Sequence, residues 1–190
     1  TFAQPYVEGG NTRHRFAQLL IGADLFVVPQ GGTGFQLLGD ERSSYEFPTQ
    51  VIPRLSLAGT HFWGYSEFFV TFPITNILDA GLPDEASFLF SPGVSTGMKV
   101  YPWRVERQKL RPYLGAGFNM WDFQLESQAG EGLLLSRAST PVMAGLTYQR
   151  NNLLFELGAT YLFQNDLTYF LNRSQTADFE MNPLGIHAGV

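Results

Sequence analysis

The side chains able to do chemistry are few and scattered. His14, His61 and His187 are the three imidazoles of the 190-residue chain, and no cysteine offers a thiolate for a nucleophile or a metal. None of the three histidines stands in a His-x-Ser pair, and none falls in the long connections where a solvent-facing active site would be built. The acidic groups Asp79, Asp84, Glu85 and Asp40, Glu41 lack the alternating D-x-D-x-D-G spacing that wraps a calcium ion. The glycine-rich Gly31–Gly34 stretch has neither the lysine nor the helix that makes such a loop a phosphate cradle. The expectation is therefore no catalytic residue, no metal and no cofactor. Five other ionisable residues, Asp24, Arg54, Glu67, Lys99 and Glu156, stand out because each lies inside an apolar stretch. Their chemistry would be pairing with one another.

The stretches that hold them alternate with a period of two, the signature of β-strands. FAQLLIGADLFVVP places Ala17, Leu19, Ile21, Ala23, Leu25 and Val27 on one face. VIPRLSLA does the same with Val51, Pro53, Leu55 and Leu57, and SEFFVTFPI with Phe68, Val70, Phe72 and Ile74. VSTGMKVYP and RPYLGAGFNMWDF follow, the latter with Leu114, Ala116, Phe118 and Met120 in line. PVMAGLTYQ aligns Val142, Ala144, Leu146 and Tyr148, and LLFELGATYL aligns Leu153, Phe155, Leu157, Ala159 and Tyr161. NPLGIHAGV is the eighth segment. The connections alternate in length: long loops at QGGTGFQLLGDERSSYEFPTQ, TNILDAGLPDEASFLFSP, QLESQAGEGLLLSRAS and FQNDLTYFLNRSQTADFE, short ones between them. Eight strands of about 9–11 residues, each long enough to cross a bilayer at a tilt, are the expectation.

All five charged residues fall opposite the apolar face of their own strand, an outcome that chance gives about one time in thirty. Gly22, Gly97, Gly115, Gly117, Gly145, Gly158 and Gly185 share that polar side, as a crowded interior requires. A soluble sheet would carry longer polar residues there. The predicted order is thus inverted relative to a soluble protein: a lumen network of Asp24, Arg54, Glu67, Lys99 and Glu156, and a lipid face of Leu19, Ile21, Leu55, Phe68, Val70, Leu114, Phe118, Leu146, Phe155 and Leu157. Phe72, Trp103, Trp121, Tyr148 and Tyr161 lie near strand ends, where interfacial aromatic girdles form.

Composition agrees. Charged residues are 15% of the chain, well under the usual quarter, and aromatics are also 15%. A mean hydropathy of −0.06 and the lack of any apolar run near 20 residues exclude a helical membrane protein but not a barrel. The net charge of −5 argues against a nucleic-acid partner, which wants clustered Lys and Arg.

RPYLGAGF entering a strand, with eight alternating segments and four long loops, resembles the small outer-membrane β-barrels of the OmpA/OmpX/OmpW type. The resemblance lies in the pattern, which spans nearly the whole chain. It implies an all-β, eight-stranded antiparallel up-and-down barrel over residues 1–190, one domain in a bacterial outer membrane, with periplasmic turns and extracellular loops. It also implies enzymes as a comparison: barrel deacylases and proteases hold His, Ser, Glu or Asp at the outer strand ends, where this chain has no histidine. The chain opens TFAQP, with Ala3–Gln4 expected near a processed end. It closes on Val190 rather than on the terminal aromatic the resemblance implies, so the last strand is expected to be short or the chain to continue.

Function then reads as non-enzymatic, a structural or interaction barrel serving as an accessory subunit of a larger outer-membrane assembly. Its partners would be outer-membrane lipid and other outer-membrane proteins, met through the loops or the lipid face. The alternatives are a narrow channel for small hydrophobic molecules and a soluble lipocalin-like carrier. Apolar loop residues, Phe35, Leu37, Leu38, Leu78, Phe88, Phe90, Leu133 to Leu135 and Phe170, either cap the barrel or dock a partner.

Overall fold

The computed structural model describes residues 19–29, 32–38, 41–47, 49–61, 64–74, 87–104, 108–126, 132–163, 166–172 and 175–190, with several strand residues, Trp121 among them, described by backbone alone. Among these residues every regular element is a strand: β1 (Leu19–Val28), β2 (Gly32–Leu38), β3 (Glu41–Phe47), β4 (Gln50–Thr60), β5 (Ser66–Pro73), β6 (Ser87–Val100), β7 (Leu110–Glu126), β8 (Gly132–Arg150), β9 (Leu153–Phe163), β10 (Asp166–Asn172), β11 (Gln175–Met181) and β12 (Leu184–Gly189).

Eight of them close a barrel in the order β1-β12-β9-β8-β7-β6-β5-β4, each antiparallel to its neighbours. Closure leaves the wall with no free edge, which is what lets a sheet sit in hydrocarbon. The connections at one rim are tight. β8 and β9 are joined by Asn151 and Asn152, with Asn151 at φ 54°, a left-handed position that asparagine tolerates and a two-residue hairpin requires. The β4–β5 turn is held by His61 and Ser66, and Gly64 adopts φ 73° there. This turn-bearing end is the lower rim.

Two expectations change at the upper rim. The connections 30–50 and 163–180, read from sequence as loops, contain β2, β3, β10 and β11, which form a second sheet in the order β10-β11-β2-β3. Nor are the strands uniformly 9–11 residues: β12 has 6, β7 has 17 and β8 has 19. The loop expected over 124–139 is largely the upper part of β7 and β8. Mixed polar and apolar sequences such as GTGFQLL and QTADFEM pair well once above the membrane, where neither face need be uniformly apolar, so period-two patterning does not reveal them.

The register shows how the second sheet arises. Asp24 lies opposite Gly189, and eight residues on along both chains Gly32 lies opposite Met181. The β1–β12 and β2–β11 ladders thus share one register, although they belong to separate sheets. The outer strands of the upper sheet each slip by one residue: Tyr161 faces Leu184 but Asp166 faces Glu180, and Arg54 faces Asp24 but Phe47 faces Gly32.

Side chains alternate strictly between lumen and exterior, as the pleat demands. Of the ten residues assigned to the lipid face, nine are 41–64% exposed, and Val70 is half-buried but points outward with them. The exterior also exposes Leu25, Leu110, Met120, Val142 and Ile186, giving an apolar belt far larger than the few hundred Å² a water-soluble monomer tolerates. The faces are the reverse of those of a soluble carrier, whose apolar side points in. Tyr148 stacks on Phe155 near the lower rim at 6.5 Å, Tyr161 packs edge-on to Phe163 near the upper rim at 5.1 Å, and Trp103 is exposed in the lower-rim β6–β7 connection. The side chain of Trp121 lies outside the described residues.

Glycines let bulky residues converge in the lumen. A Cβ on Gly185 would collide with the Phe26 ring, and a Cβ on Gly158 with the Tyr113 hydroxyl and the His187 ring. Gly185→Val is expected to cost about 1–3 kcal/mol through overpacking, read as a lower urea midpoint in detergent micelles, and Phe26→Ala in the same chain should recover most of the loss. Equal midpoints for wild type and G185V would show that the ring does not sit there.

Candidate functional site

The lumen has two storeys. Toward the upper rim Phe26, Val28, Ile52 and Leu162 are 0–3% exposed and form an apolar plug. Beneath them lies the polar interior, which the sequence treated as a single network.

The five charged residues assigned to it separate into two groups. Asp24 and Arg54 face each other across the β1–β4 ladder, with Arg54 Nε donating to Asp24 Oδ1 at 2.6 Å and the guanidinium lying 4.5 Å from the centre of the Phe26 ring. The other group is centred on Lys99. Its ammonium donates to Glu156 Oε2 at 2.6 Å and Glu67 Oε1 at 3.4 Å, bridging strands β6, β5 and β9 across the lumen. With side-chain exposures of 8% for Lys99 and 2% for Glu67, both charges are withdrawn from bulk water, and each is sustained by the others.

Four residues that the sequence did not assign complete this cluster. Tyr113 donates its hydroxyl to Glu156 Oε1 at 2.7 Å, and Tyr101 donates to Glu67 Oε2 at 3.3 Å. His187 Nε2 lies 3.0 Å from Glu156 Oε1 and 2.8 Å from the Tyr113 oxygen, and its Nδ1 lies 3.4 Å from Thr160 Oγ1. His187 thus faces the carboxylate and the phenol oxygen with Nε2 and the threonine hydroxyl with Nδ1, joining β12 to β9 and β7. Arg111 is the fourth, 1% exposed, its guanidinium 4.9 Å from the centre of the Tyr101 ring. Its Nε and Nη1 have no hydrogen-bond partner among the described residues, so the ring face and the field of Glu67 are what compensate its charge. Among described residues the inward charges balance: Asp24, Glu67 and Glu156 against Arg54, Lys99 and Arg111.

The sequence carried a signal for three of these. Arg111 and Tyr113 share the odd-numbered, glycine-bearing side of their strand, and His187 alternates with Gly185. Tyr101 follows the last residue of β6, where no pattern speaks for it. His61 sits in the lower-rim turn against Phe68, with ring centres 6.2 Å apart. His14 and the acidic group at 79–85 lie outside the described residues. Above Lys99, Ser95 donates to Asn119 across the β6–β7 ladder.

The arrangement can hold charge in place, and it has little room for a solute. The cavity between the two charged groups, bordered by Phe69, Met143 and Thr160, has a volume of about 90 Å³, enough for several water molecules. Among the described residues no cluster of His, Asp and Glu has the geometry to bind a metal.

No protein-family model and no curated protein matches the sequence. Solved structures do match the fold. The outer membrane protein OprG of Pseudomonas aeruginosa superposes with a TM-score of 0.63 at 15% identity, over 94% of this chain and 98% of that one. Neisserial surface protein A gives a TM-score of 0.50 at 12% identity, over 91% and 98%. At such identities the likeness is one of fold, and the fold is that of the small eight-stranded barrels of bacterial outer membranes.

Lys99→Met should strand two carboxylates in the lumen and cost about 3–5 kcal/mol, measured by urea unfolding in lipid vesicles. Adding Glu67→Gln and Glu156→Gln should return most of that stability. A triple variant no more stable than K99M would show that Lys99 acts by packing rather than by charge.

Proposed function

We propose that the chain is a non-enzymatic barrel of a bacterial outer membrane, working as a structural and interaction protein and serving as an accessory subunit of a larger assembly there. The observation that carries this reading is the filled lumen. An eight-stranded barrel has an interior just wide enough for side chains to fill. Here Phe26, Val28, Ile52 and Leu162 occupy its upper storey, and the Lys99 and Arg54 groups occupy the rest. Work done through the middle of the barrel would require dismantling a balanced buried charge network. Work done through its surfaces requires nothing of the kind.

Two surfaces are available. The apolar belt meets lipid and can meet the belt of another membrane protein. The upper strands continue beyond the aromatic pair Tyr161 and Phe163. The apolar residue types in these strands, Phe35, Leu37, Leu133 to Leu135 and Phe170 among them, favour docking over free solvation.

The competing reading, a narrow channel for small hydrophobic molecules, differs in a measurable quantity. In planar bilayers the wild-type chain should give no single-channel steps, and the F26A/I52A double variant, whose lower charge network is intact, should give none either. Wild-type steps would favour the channel. For the subunit reading, gentle detergent extraction of native membranes should yield the barrel together with a second protein in fixed stoichiometry; a monomer free of any such companion would overturn it.

A further inference from the structure

Charge is distributed unequally along the barrel axis. The four stretches that link the barrel strands at the upper rim, residues 29–50, 74–93, 121–140 and 163–183, hold twelve carboxylates and three cations in sequence. The lower turns reverse the sign. Residues 61–65, 101–109 and 150–152 hold four cations, Arg104, Arg107, Lys109 and Arg150, against the one carboxylate of Glu106. The lumen between them is balanced and cannot account for the difference. What a positive rim at one end of a membrane barrel meets is the headgroup layer of one leaflet.

We propose that the lower rim along β7, β8 and β9 binds the headgroups of acidic phospholipids, with Lys109 and Arg150 contacting the phosphate. The proposal stands whether or not the barrel has a partner subunit. Its first support is depth. Leu110 lies opposite Tyr148, and Tyr148 opposite Phe155, so the three form a row across the strands. All are exposed on the outer face, and Tyr148 stacks on Phe155. A tyrosine at the edge of an apolar belt marks the boundary between acyl chains and headgroups. Arg150 follows Tyr148 by two residues on the same face, about 7 Å further along the strand. That step carries it from the belt into the headgroup layer, itself about 5–8 Å deep.

The second support is the closeness of the two cations. Gln149 N donates to Lys109 O at 2.7 Å, one residue past the pairing of Leu110 with Tyr148. Lys109 therefore starts beside the residue that precedes Arg150, and both cationic residues are exposed. Trp103, 47% exposed, belongs to the same β6–β7 connection as Lys109. Arg104 is half-buried over Gly64 of the neighbouring turn and adds its charge to this rim. Cations beside exposed aromatics at a membrane boundary form an interfacial anchor.

The third support is that the rim holds no anion of its own among the described residues. Residues 101–104, 108–111 and 147–155 contain no carboxylate. Glu156, next along β9, turns into the lumen, where Lys99, Tyr113 and His187 already hold it. Arg111 is 1% exposed and takes no part. The class of lipid follows from this charge. A zwitterionic headgroup brings its own cation to its phosphate, whereas an acidic one leaves the phosphate for the protein.

The test is native mass spectrometry of the folded protein in neutral detergent, titrated separately with phosphatidylglycerol and with phosphatidylcholine of the same acyl chains. A cation near a membrane surface contributes about fivefold to the attraction of acidic lipid. The wild-type chain should take up its first phosphatidylglycerol about fivefold or more tightly than its first phosphatidylcholine. Lys109→Gln with Arg150→Gln should weaken phosphatidylglycerol by about fivefold or more and leave phosphatidylcholine unchanged, which also reports an intact barrel surface. Lys109→Arg with Arg150→Lys should keep the preference. Equal uptake of the two lipids by the wild type would overturn the proposal. So would a preference that survives K109Q/R150Q, which would assign the acidic lipid to another part of the surface.

Discussion

Everything in this molecule follows from one ammonium group held between two carboxylates. Lys99 reaches Glu156 on one side of the lumen and Glu67 on the other, and with those contacts it ties β6 to β9 and β5 through the centre of the barrel. In water such a bridge would be worth little. Inside a closed wall no member can be left alone, because a buried charge without its counterpart costs several kcal/mol. The bridge therefore acts less as glue than as a condition: the strands must close in the register that brings all three together.

The remaining lumen residues serve that condition. Tyr113 and His187 take up the free lone pairs of Glu156, and Tyr101 takes one of Glu67. Gly145 and Gly158 are bare because the Tyr113 hydroxyl stands where their side chains would be. Arg111 offsets the second carboxylate while resting on the Tyr101 face. Above this polar storey the chain turns to Phe26, Val28, Ile52 and Leu162, which need no partners and close the top. The interior thus joins a charged cluster packed against Phe69 and Met143 to an apolar group toward the upper rim. A barrel so filled is a rigid post, and its variable parts are its outer belt and its rising upper strands.

Those upper strands show why backbone geometry matters beyond the membrane. A ladder that is already in register at the lipid boundary costs little to extend, since each added pair fixes only its own residues. The unbroken register from Asp24–Gly189 to Gly32–Met181 is the result. At the flanks the register changes by one residue between β9 and β10 and between β4 and β3.

Much of this was legible in the chain itself. Strict alternation located all eight barrel strands and their two faces, because a wall between lipid and a packed bore imposes opposite demands on successive residues. The same alternation put Asp24, Arg54, Glu67, Lys99 and Glu156 on one side, along with Arg111, Tyr113 and His187, whose roles went unread. What no single strand could say is which charge meets which. That Arg54 takes Asp24, that Lys99 spans Glu67 and Glu156, and that His187 joins Tyr113 depend on stagger between strands far apart in sequence. Closure of the barrel decides it. The upper sheet was equally invisible, since GTGFQLL and QTADFEM lack a uniform face and owe their strand form to the ladder below them. Sequence alone determined which residues face out of the barrel and which face in, because that is a demand on each residue separately. Tertiary structure decided the pairings and the rim, because those are demands that only neighbouring strands can make on one another.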